Sequence, residues 1–369
     1  MKMTLIKGMF FMKLFSKMEI HTDRQIEADF AKFICLIGLV LVHCFETLVV
    51  FSETQSTLQY IFVCVLDYIF GAATFMFCMG FGIAYSQHAQ PSQLMKRGIK
   101  IFLFGYLLNV FCALPNLILF RNVRHFFFSL WELDILQFAG LALLLFGFLK
   151  LLKLPDWGIG LAALALSGFG SCIYALDLEN HALNLFLGLF VGTFDYQLAT
   201  GGLFPLCNWF IFVAAGYLFA KLLRRCESKV KLYLCFSGVS AIIVAAYMLI
   251  AIPRGLGMMG SLLHFHHMKT PEAFICIAAA VFALGVYYAI AYILPSGAKS
   301  LFTRVSRNIN TIYCLQWFVI SWVEAILLRI GHAGLSDGQT LLFGGIIFLF
   351  CAVTARFYSD WKIRRKEKR

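Results

Sequence analysis

The sequence predicts an all-α fold, a polytopic membrane bundle of about ten transmembrane helices. Of its 369 residues, 61% are hydrophobic and 14% are charged, and the mean hydropathy is +0.82. A soluble domain cannot hide that much apolar surface. The apolar runs reach about 20 residues, which is the length that a helix needs to cross the hydrocarbon core and too long for a barrel strand. The basic residues flank these runs unevenly, as they do in inserted bundles.

Each apolar run predicts one span in chain order. The ten spans are 30–51, 59–85, 101–120, 135–152, 157–176, 204–222, 232–252, 272–294, 309–328 and 340–358. The stretch 184–202 is apolar but is broken by Gly, Asp and Thr, so it is interpreted as a re-entrant or interfacial piece. One further span there would invert the topology of everything after it.

Three regions follow from this division of the chain. Residues 1–27 form a basic segment in which four lysines alternate with apolar residues, typical of an amphipathic helix on the membrane surface. A disordered tail is the alternative for this segment, and a signal peptide does not fit because its apolar stretch would be uninterrupted. Residues 28–361 form the transmembrane domain, and residues 362–369 form a basic cytoplasmic tail.

The net charge of +12 reflects membrane topology. Most of the 31 Lys and Arg residues fall in the two terminal segments and in alternate loops. This asymmetry predicts a multi-pass protein of the cell membrane with both termini in the cytoplasm, where the basic residues contact anionic lipid. A nucleic-acid partner is not supported, because the sequence contains no binding module or basic groove.

The twelve cysteines are scattered singly, and none pairs as CxxC or joins a Cys/His cluster. They are interpreted as small buried apolar residues, and no metal is expected. The stretch 262–269 carries three histidines, but no Asp, Glu or Cys lies nearby at ligand spacing, so an exposed loop is favoured over a metal site.

Ionisable residues interrupt the first span, within the stretch 24–48 around which the rest of the chain is organised. Asp29 and Lys32 lie near its start, and His43 and Glu46 lie near its end. Charged groups inside a span are costly and indicate function. The second span carries Asp67 at a depth that matches His43, so a carboxylate–imidazole pair is predicted. The alternative is that Asp67 caps or pairs locally and His43 is a satisfied polar core residue.

Six stretches in the right order carry a resemblance to a known family. They are RQIEADFAKFICLIGLVLVHCF, DYIFGAATFMFCMGFGIAYS, KRGIKIFLFGYLLN, DILQFAGLALLLFG, FPLCNWFIFVAAGYLFAKLL and SRNINTIYCLQWFV. The chain resembles the transmembrane acyltransferases that include heparan-alpha-glucosaminide N-acetyltransferase and its bacterial relatives. It is more distantly similar to the acyltransferase-3 family. It departs from the pattern at Asn208, where relatives have Pro, and at Gln316, where many have His.

The resemblance implies that the protein moves an acetyl group from cytoplasmic acetyl-CoA to an acceptor outside the membrane. His43 would act as the general base or as a transient acyl carrier, and Asp67 would orient its ring. Gln137 would donate a hydrogen bond to the thioester oxygen. The CoA phosphates would be held by cations at the cytoplasmic helix ends, whose alternative role is topological. These cations are Lys96, Arg97, Lys100, Arg304 and Arg307.

The acceptor side is predicted from polar residues near the outer ends of the first and third spans. They are Glu46, Arg124, His125 and Asp134. An interfacial loop with aromatic anchors is an equal alternative for 121–134. The implied acceptor is an extracytoplasmic hydroxyl or amine of a glycan or amino sugar, and relatives of this size suggest a homodimer.

Two other classes of function use the same sequence features. A proton-coupled small-molecule transporter would use the buried charges as a relay, but it is expected to carry an internal repeat of spans, which is not visible here. A structural or receptor role predicts that none of these charges matters for activity.

Overall fold

We analysed a computed structural model of the chain, which describes residues 14–49, 56–195, 200–257, 262–332 and 334–367. Most of the basic segment predicted as a surface helix therefore lies outside the described residues. The part of it that is described, from residue 14 onward, runs alongside the end of a later helix. There Phe15 pairs with Cys226, and the backbone N–H of Ser16 donates to the carbonyl of Arg225.

Helices make up most of the described chain, so the predicted all-α membrane class is confirmed. In chain order they are α1 (Ile26–Thr47), α2 (Thr57–Ala84), α3 (Pro91–Phe120), α4 (Val123–Leu130), α5 (Ile135–Leu151), α6 (Asp156–Ser171), α7 (His181–Gly188), α8 (Leu206–Arg225), α9 (Lys229–Ala251), α10 (Leu262–His266), α11 (Thr270–Ile293), α12 (Ser296–Arg307), α13 (Ile309–Arg329) and α14 (Asp337–Glu367).

Eight of the described helices are long and apolar enough to cross a membrane: α1, α2, α3, α8, α9, α11, α13 and α14. The other two predicted spans correspond to α5 and α6, which have only 17 and 16 residues. Outer helices expose long apolar side chains, among them Leu234, Ile242 and Leu249 of α9, each at least 71% exposed. Such a surface is stable only against lipid.

The segment 184–202 is not a further continuous span. The short helix α7 is followed by strands β1 (Phe194–Asp195) and β2 (Thr200–Gly201), which pair antiparallel. The glycines and polar residues that break the apolar run therefore end the helix and form a small hairpin. No membrane-crossing helix lies between α6 and α8 in the described residues.

Helix α1 lies at the centre of the bundle and contacts α2, α11, α12, α13 and α14. One face, including Ala31 and Phe45, belongs to the main core, and the opposite face, including Leu36 and Val40, packs on α13 and α14. A helix that is apolar on all sides is expected to be buried on all sides. The prediction that the chain is organised around this segment fits its position.

Buried carboxylates fix the start of α1. Asp29 accepts from both nitrogens of the Arg24 guanidinium fork, at 2.6 and 2.7 Å, and from the hydroxyls of Ser306 and Thr303 on α12. Glu27, which is fully buried, lies 2.6 Å from the Lys229 amine. Because buried charges are tolerated only when they are paired, these contacts set the position of α1 in the bundle.

Helix α2 is irregular in its first half. It contains a π-helical stretch, Ile61–Asp67, and its regular backbone is interrupted again at Gly71. The carboxylate of Asp67 lies against this break, where a Cβ on Gly71 would approach it to 2.0 Å. The backbone of Ala72 hydrogen-bonds to the same carboxylate. Such interruptions change which face of a helix a residue occupies.

The second half of α2 packs closely on α8. A Cβ on Gly80 would lie 1.8 Å from the carbonyl oxygen of Val213, and one on Gly216 would lie 1.9 Å from that of Phe77. The two helix backbones are therefore in direct contact, as is common where small residues line membrane helix interfaces.

Candidate functional site

His43 lies about 26 Å along α1, near the end opposite to Asp29. Its side chain is only 9% exposed. The imidazole stacks on the ring of Trp317, with centroids 4.1 Å apart, and Nδ1 lies 3.1 Å from the amide nitrogen of Gln316. Both partners belong to α13, so the predicted central histidine is held by that helix.

The predicted pairing of Asp67 with His43 is not what the structure shows. Among the described residues the only side chain that hydrogen-bonds to the His43 ring is Gln316. The Asp67 carboxylate faces the helix break in α2, where one of its oxygens is buried without a hydrogen-bond partner. The depth estimate assumed a regular α-helix, and the π-helical stretch before Asp67 invalidates that assumption.

One turn before Trp317, a hydrogen-bonded triad joins α13 to the start of α5. The hydroxyl of Tyr313 donates to Asp134 Oδ2 over 2.5 Å, and the indole N–H of Trp317 donates to the Tyr313 hydroxyl over 2.9 Å. Tyr313 is 2% exposed. A hydrogen bond to a carboxylate is among the stronger ones in proteins, so this contact holds the two helices together.

The depth of Asp134 follows from the loop before it. Asn109 of α3 donates to the carbonyls of Leu130 and Glu132. Asn109 lies 11 residues before the end of α3 at Phe120, which is about 16 Å of helix. The chain therefore turns back along α3 through α4, and α5 begins well inside the bundle. This return brings the end of the stretch 121–134 into the bundle, while Phe127 and Trp131 of the same stretch stay exposed.

Asp134 is the N-cap of α5. Gln137, which was predicted to donate a hydrogen bond to the thioester oxygen, belongs to the same cap. Asp134 Oδ1 accepts from the N–H of Ile135 at 2.6 Å, and the amide oxygen of Gln137 accepts from the Asp134 N–H at 3.3 Å. The Gln137 side chain is fully buried against Gly105, where a Cβ would lie 2.8 Å away. Gln137 thus forms a capping box and lines neither of the two cavities described next.

A cavity of about 650 Å³ opens beside the start of α1. It extends from Arg24 and Lys32 to Tyr313 and Ile135. Four basic and two acidic side chains line it. We call it the basic cavity, and these charged residues are Arg24, Lys32, Arg97, Arg307, Asp23 and Asp29. Its volume is in the range of sites for small molecules.

Two of the five predicted phosphate-binding residues, Arg97 and Arg307, line the basic cavity. The other three, Lys96, Lys100 and Arg304, do not. Sequence reasoning did not assign Lys32 to this role, although a lysine inside a span is itself a signal of function.

A smaller cavity of about 280 Å³ lies on the other side of the triad. Glu132, Asp134 and Glu324 line it, and no Lys or Arg occurs among its described lining residues. We call it the acidic cavity. Polar uncharged side chains also line it: Asn109, Asn116, Ser129 and Ser321.

The acidic cavity contains one of the two predicted acceptor residues whose side chains the structure describes. Glu46, one residue before the end of α1, does not line this cavity. The side chains of Arg124 and His125 lie outside the described part of the structure. Asp134 lines the cavity.

The three histidines of 262–269 have structural contacts, and the exposed loop that the sequence favours is wrong because His266 and His267 are buried. His264 Nε2 lies 3.3 Å from Glu272 Oε1. His267 Nε2 lies 2.9 Å from the carbonyl of Gly202, and the indole of Trp209 donates to the backbone oxygen of His266. Burial lowers the pKa of His266 to about 3, with the neighbouring His267 as a smaller cause. Burial also lowers the pKa of His267. Within the described residues no group of three metal-ligating side chains occurs.

Residues 24–248, more than half of the chain, match the family described as heparan-alpha-glucosaminide N-acetyltransferase, catalytic. The chain belongs to this family. The resemblance predicted from the six sequence stretches is confirmed, and the protein is a membrane acetyltransferase in general class. The curated proteins and the solved structures contain no significant match to the chain.

The match to the acetyltransferase family includes α1 and the start of α5, and hence both His43 and Asp134. It ends within α9, before α13 begins. Tyr313, Gln316 and Trp317, which contact those two residues, therefore lie beyond the matched stretch.

Proposed function

We propose that the protein transfers an acetyl group from cytoplasmic acyl-CoA to a hydroxyl or amine of a saccharide-like acceptor outside the membrane. The observation that carries this proposal is the pair of oppositely charged cavities, which meet on the two sides of the Tyr313–Asp134 hydrogen bond. An acetyl group needs to cross only this contact to pass from one cavity to the other.

The basic cavity fits the donor. Lys32, Arg97 and Arg307 make no ion pair with any described carboxylate, so their charges are available to phosphates. Arg24 is already paired with Asp29. Basic side chains bind phosphate through charge-assisted hydrogen bonds, and a diphosphate with a ribose phosphate needs several of them. The activated thioester of acyl-CoA would supply the chemistry, and these residues would position it.

The acidic cavity fits the acceptor. Sugar hydroxyls and amines are hydrogen-bond donors, and Glu132, Asp134 and Glu324 offer acceptor oxygens. A cavity without a described cation favours a neutral or positively charged group over a phosphate or carboxylate.

His43 is proposed as the base, with Gln316 rather than Asp67 as the residue that positions it. For His43 Nε2 to accept a proton, Nδ1 must carry one and donate it to an oxygen. The buried Oε1 of Gln316 has no hydrogen-bond partner in the described structure, and rotation of the amide would bring it to Nδ1. The proton that leaves the acceptor would then pass to Nε2 as the acceptor atom attacks the acyl carbon and the thiolate of CoA leaves.

His43 lines neither cavity, because the Trp317 ring lies between it and the acidic cavity. Its action as the base therefore requires a change of the Trp317 rotamer. We place the basic cavity and both termini on the cytoplasmic side of a multi-pass cell-membrane protein. The excess of basic residues in the terminal segments and alternate loops supports this orientation.

Purified protein in lipid, supplied with acetyl-CoA and amino sugars or oligosaccharides, tests this function. We expect acceptor-dependent release of free CoA thiol, and we expect His43→Ala to abolish it. His88→Ala is the matched control, because His88 is exposed beyond the end of α2. If His43→Ala releases CoA at the wild-type rate while both variants are folded, His43 is not the base. If wild-type protein transfers to no acceptor, the proposed function fails.

A further inference from the structure

The two cavities are separated by a thin wall at the start of α5. The adjacent residues Asp134 and Ile135 line different cavities: Ile135 the basic one and Asp134 the acidic one. On α13, Tyr313 lines the basic cavity and Trp317, one turn later, lines the acidic one. Four side chains from two helices therefore form the wall between the cavities.

One hydrogen bond closes this wall across the two helices. Tyr313 donates to Asp134 Oδ2 at 2.5 Å, and Trp317 donates to the same phenol oxygen at 2.9 Å. The Trp317 ring is backed by the stacked imidazole of His43. Trp317 and Tyr313 are both on α13, so the Tyr313–Asp134 bond is the polar link of the triad that spans the wall.

The Asp134 carboxylate does not depend on Tyr313 for its position. Its other oxygen accepts from the N–H of Ile135 at 2.6 Å, as an N-cap. If the Tyr313 side chain moves away, Asp134 stays at the end of α5 with Oδ2 free and facing the acidic cavity. A hydroxyl or amine in that cavity can then donate to Oδ2 in place of the phenol.

We propose that the Tyr313–Asp134 hydrogen bond is a gate between the two cavities. The gate opens when a hydroxyl or amine in the acidic cavity donates a hydrogen bond to Asp134 in place of the Tyr313 hydroxyl. While it is closed, the gate keeps water of the acidic cavity away from the basic cavity. Opening couples arrival of an acceptor to connection of the cavities. The acetyl-transfer role of the gate rests on the proposed function, but the separation of the cavities does not.

The gate is tested by chemical access to Cys112, a native cysteine that lines the acidic cavity. A small anionic, membrane-impermeant methanethiosulfonate is applied to one side of sealed vesicles, and modification of Cys112 is quantified by peptide mass spectrometry. Gln87→Cys, in the lining of the basic cavity, reports the side from which that cavity opens. We expect that the reagent, when it is added on that side, modifies Cys112 of the wild-type protein only slowly.

Tyr313→Phe keeps the ring and removes the hydroxyl. We expect it to raise the rate of Cys112 modification from the basic-cavity side about tenfold, since a hydrogen bond to a charged acceptor shifts an equilibrium by that order. Asp134→Asn is expected to act in the same direction while it keeps the helix cap. Tyr217→Phe is the matched control, because Tyr217 is also buried and donates to an aspartate, Asp156, at 2.7 Å, but it lines neither cavity.

Equal modification rates in wild type, Tyr313→Phe and Asp134→Asn would overturn the gate. The result is independent of acetyl transfer: raised access to Cys112 without any transfer by the wild type would refute the proposed function alone. Transfer by the wild type with unchanged access in both variants would refute the gate alone. Where both hold, Tyr313→Phe is expected to hydrolyse acetyl-CoA without acceptor faster than Tyr217→Phe does.

Discussion

The hydroxyl of Tyr313 donates a 2.5 Å hydrogen bond to the carboxylate of Asp134, the N-cap of a helix that begins inside the bundle. This contact lies between a basic cavity and an acidic one. It places the crossing point of the proposed reaction at the junction of α5 and α13.

Arg97 lines the basic cavity and the adjacent Lys96 does not, so we expect their substitutions to change the KM for acetyl-CoA differently. Arg97→Gln is expected to raise the KM for acetyl-CoA about tenfold or more, because a desolvated charge-assisted contact to phosphate contributes at least that order. Its kcat should change much less. Lys96→Gln, whose side chain does not line the cavity, is the control. Steady-state kinetics at several salt concentrations provide the measurement, and equal KM values for the two variants would remove Arg97 from the donor site.

Lys32 is predicted to act in the same site from α1. Lys32→Met should weaken the protection that acetyl-CoA gives against thermal unfolding, since protection by a ligand falls with its affinity. Lys100→Met is the control, because Lys100 lies on α3 outside the cavity. A thermal shift with acetyl-CoA that is the same in both variants would contradict this assignment.

Gln316 is predicted to position the His43 ring, which it contacts at 3.1 Å. Gln316→Met preserves the volume of the side chain and removes both polar groups. We expect a lower kcat with an unchanged KM for acetyl-CoA, because only the orientation of the base is affected. Gln316→His, a ring that can also hydrogen-bond to an imidazole, should restore part of the rate. If Gln316→Met also raises the KM for acetyl-CoA, or if Gln316→His does not restore the rate, Gln316 has a general structural role and does not position the base.

Close packing of α2 on α8 predicts a large effect from a single methyl group. Gly216→Ala would place a Cβ 1.9 Å from the Phe77 carbonyl oxygen, so the helices must separate. We expect it to destabilise the protein by ~1–3 kcal/mol, the usual cost of over-packing. Gly238→Ala on α9, where nothing lies within 4 Å, should be neutral or slightly stabilising. Thermal unfolding in detergent distinguishes the two, and equal melting temperatures would contradict the close contact.

The buried His266 predicts acid sensitivity. Its pKa is lowered by burial from 6.5 to about 3, so between these values the unfolded state binds a proton that the folded state does not. The free energy of unfolding should therefore fall as the pH drops below about 6.5, by up to ~1.4 kcal/mol per pH unit. His266→Phe should flatten this slope, and the exposed His88→Gln should not. Melting curves between pH 7.5 and 5 give the comparison, and an unchanged slope in His266→Phe would refute it.

The sequence predicted the helical membrane class, the central position of α1 and the family, because hydropathy and charge patterns depend on the bilayer more than on detailed packing. It also predicted that Asp134 and Arg97 contribute to function, and the structure places both in the lining of a cavity. Their roles remain proposals, as do those of His43 and the orientation of the chain.

The geometry between helices could not be predicted in the same way. Asp67 was predicted to pair with His43 because the two residues have matching depths. The π-helical stretch Ile61–Asp67 and the break at Gly71 change the direction of the Asp67 side chain. Tyr313 lies in the last of the six stretches that carry the resemblance, but nothing in the sequence indicated that its hydroxyl pairs with Asp134. Its importance comes from the return of the chain through α4, which brings Asp134 to the depth of α13.

The central claim is transfer between two cavities that face opposite sides of the membrane, and a sided assay tests it most directly. Acetyl-CoA labelled in the acetyl group is sealed on the side of the vesicle from which the basic cavity opens, and an amino-sugar or oligosaccharide acceptor is supplied on the other side. We predict that labelled acetylated acceptor accumulates on the acceptor side in wild-type vesicles and not in His43→Ala vesicles. Product that forms only when donor and acceptor share one side, or no product in either case, would contradict the account.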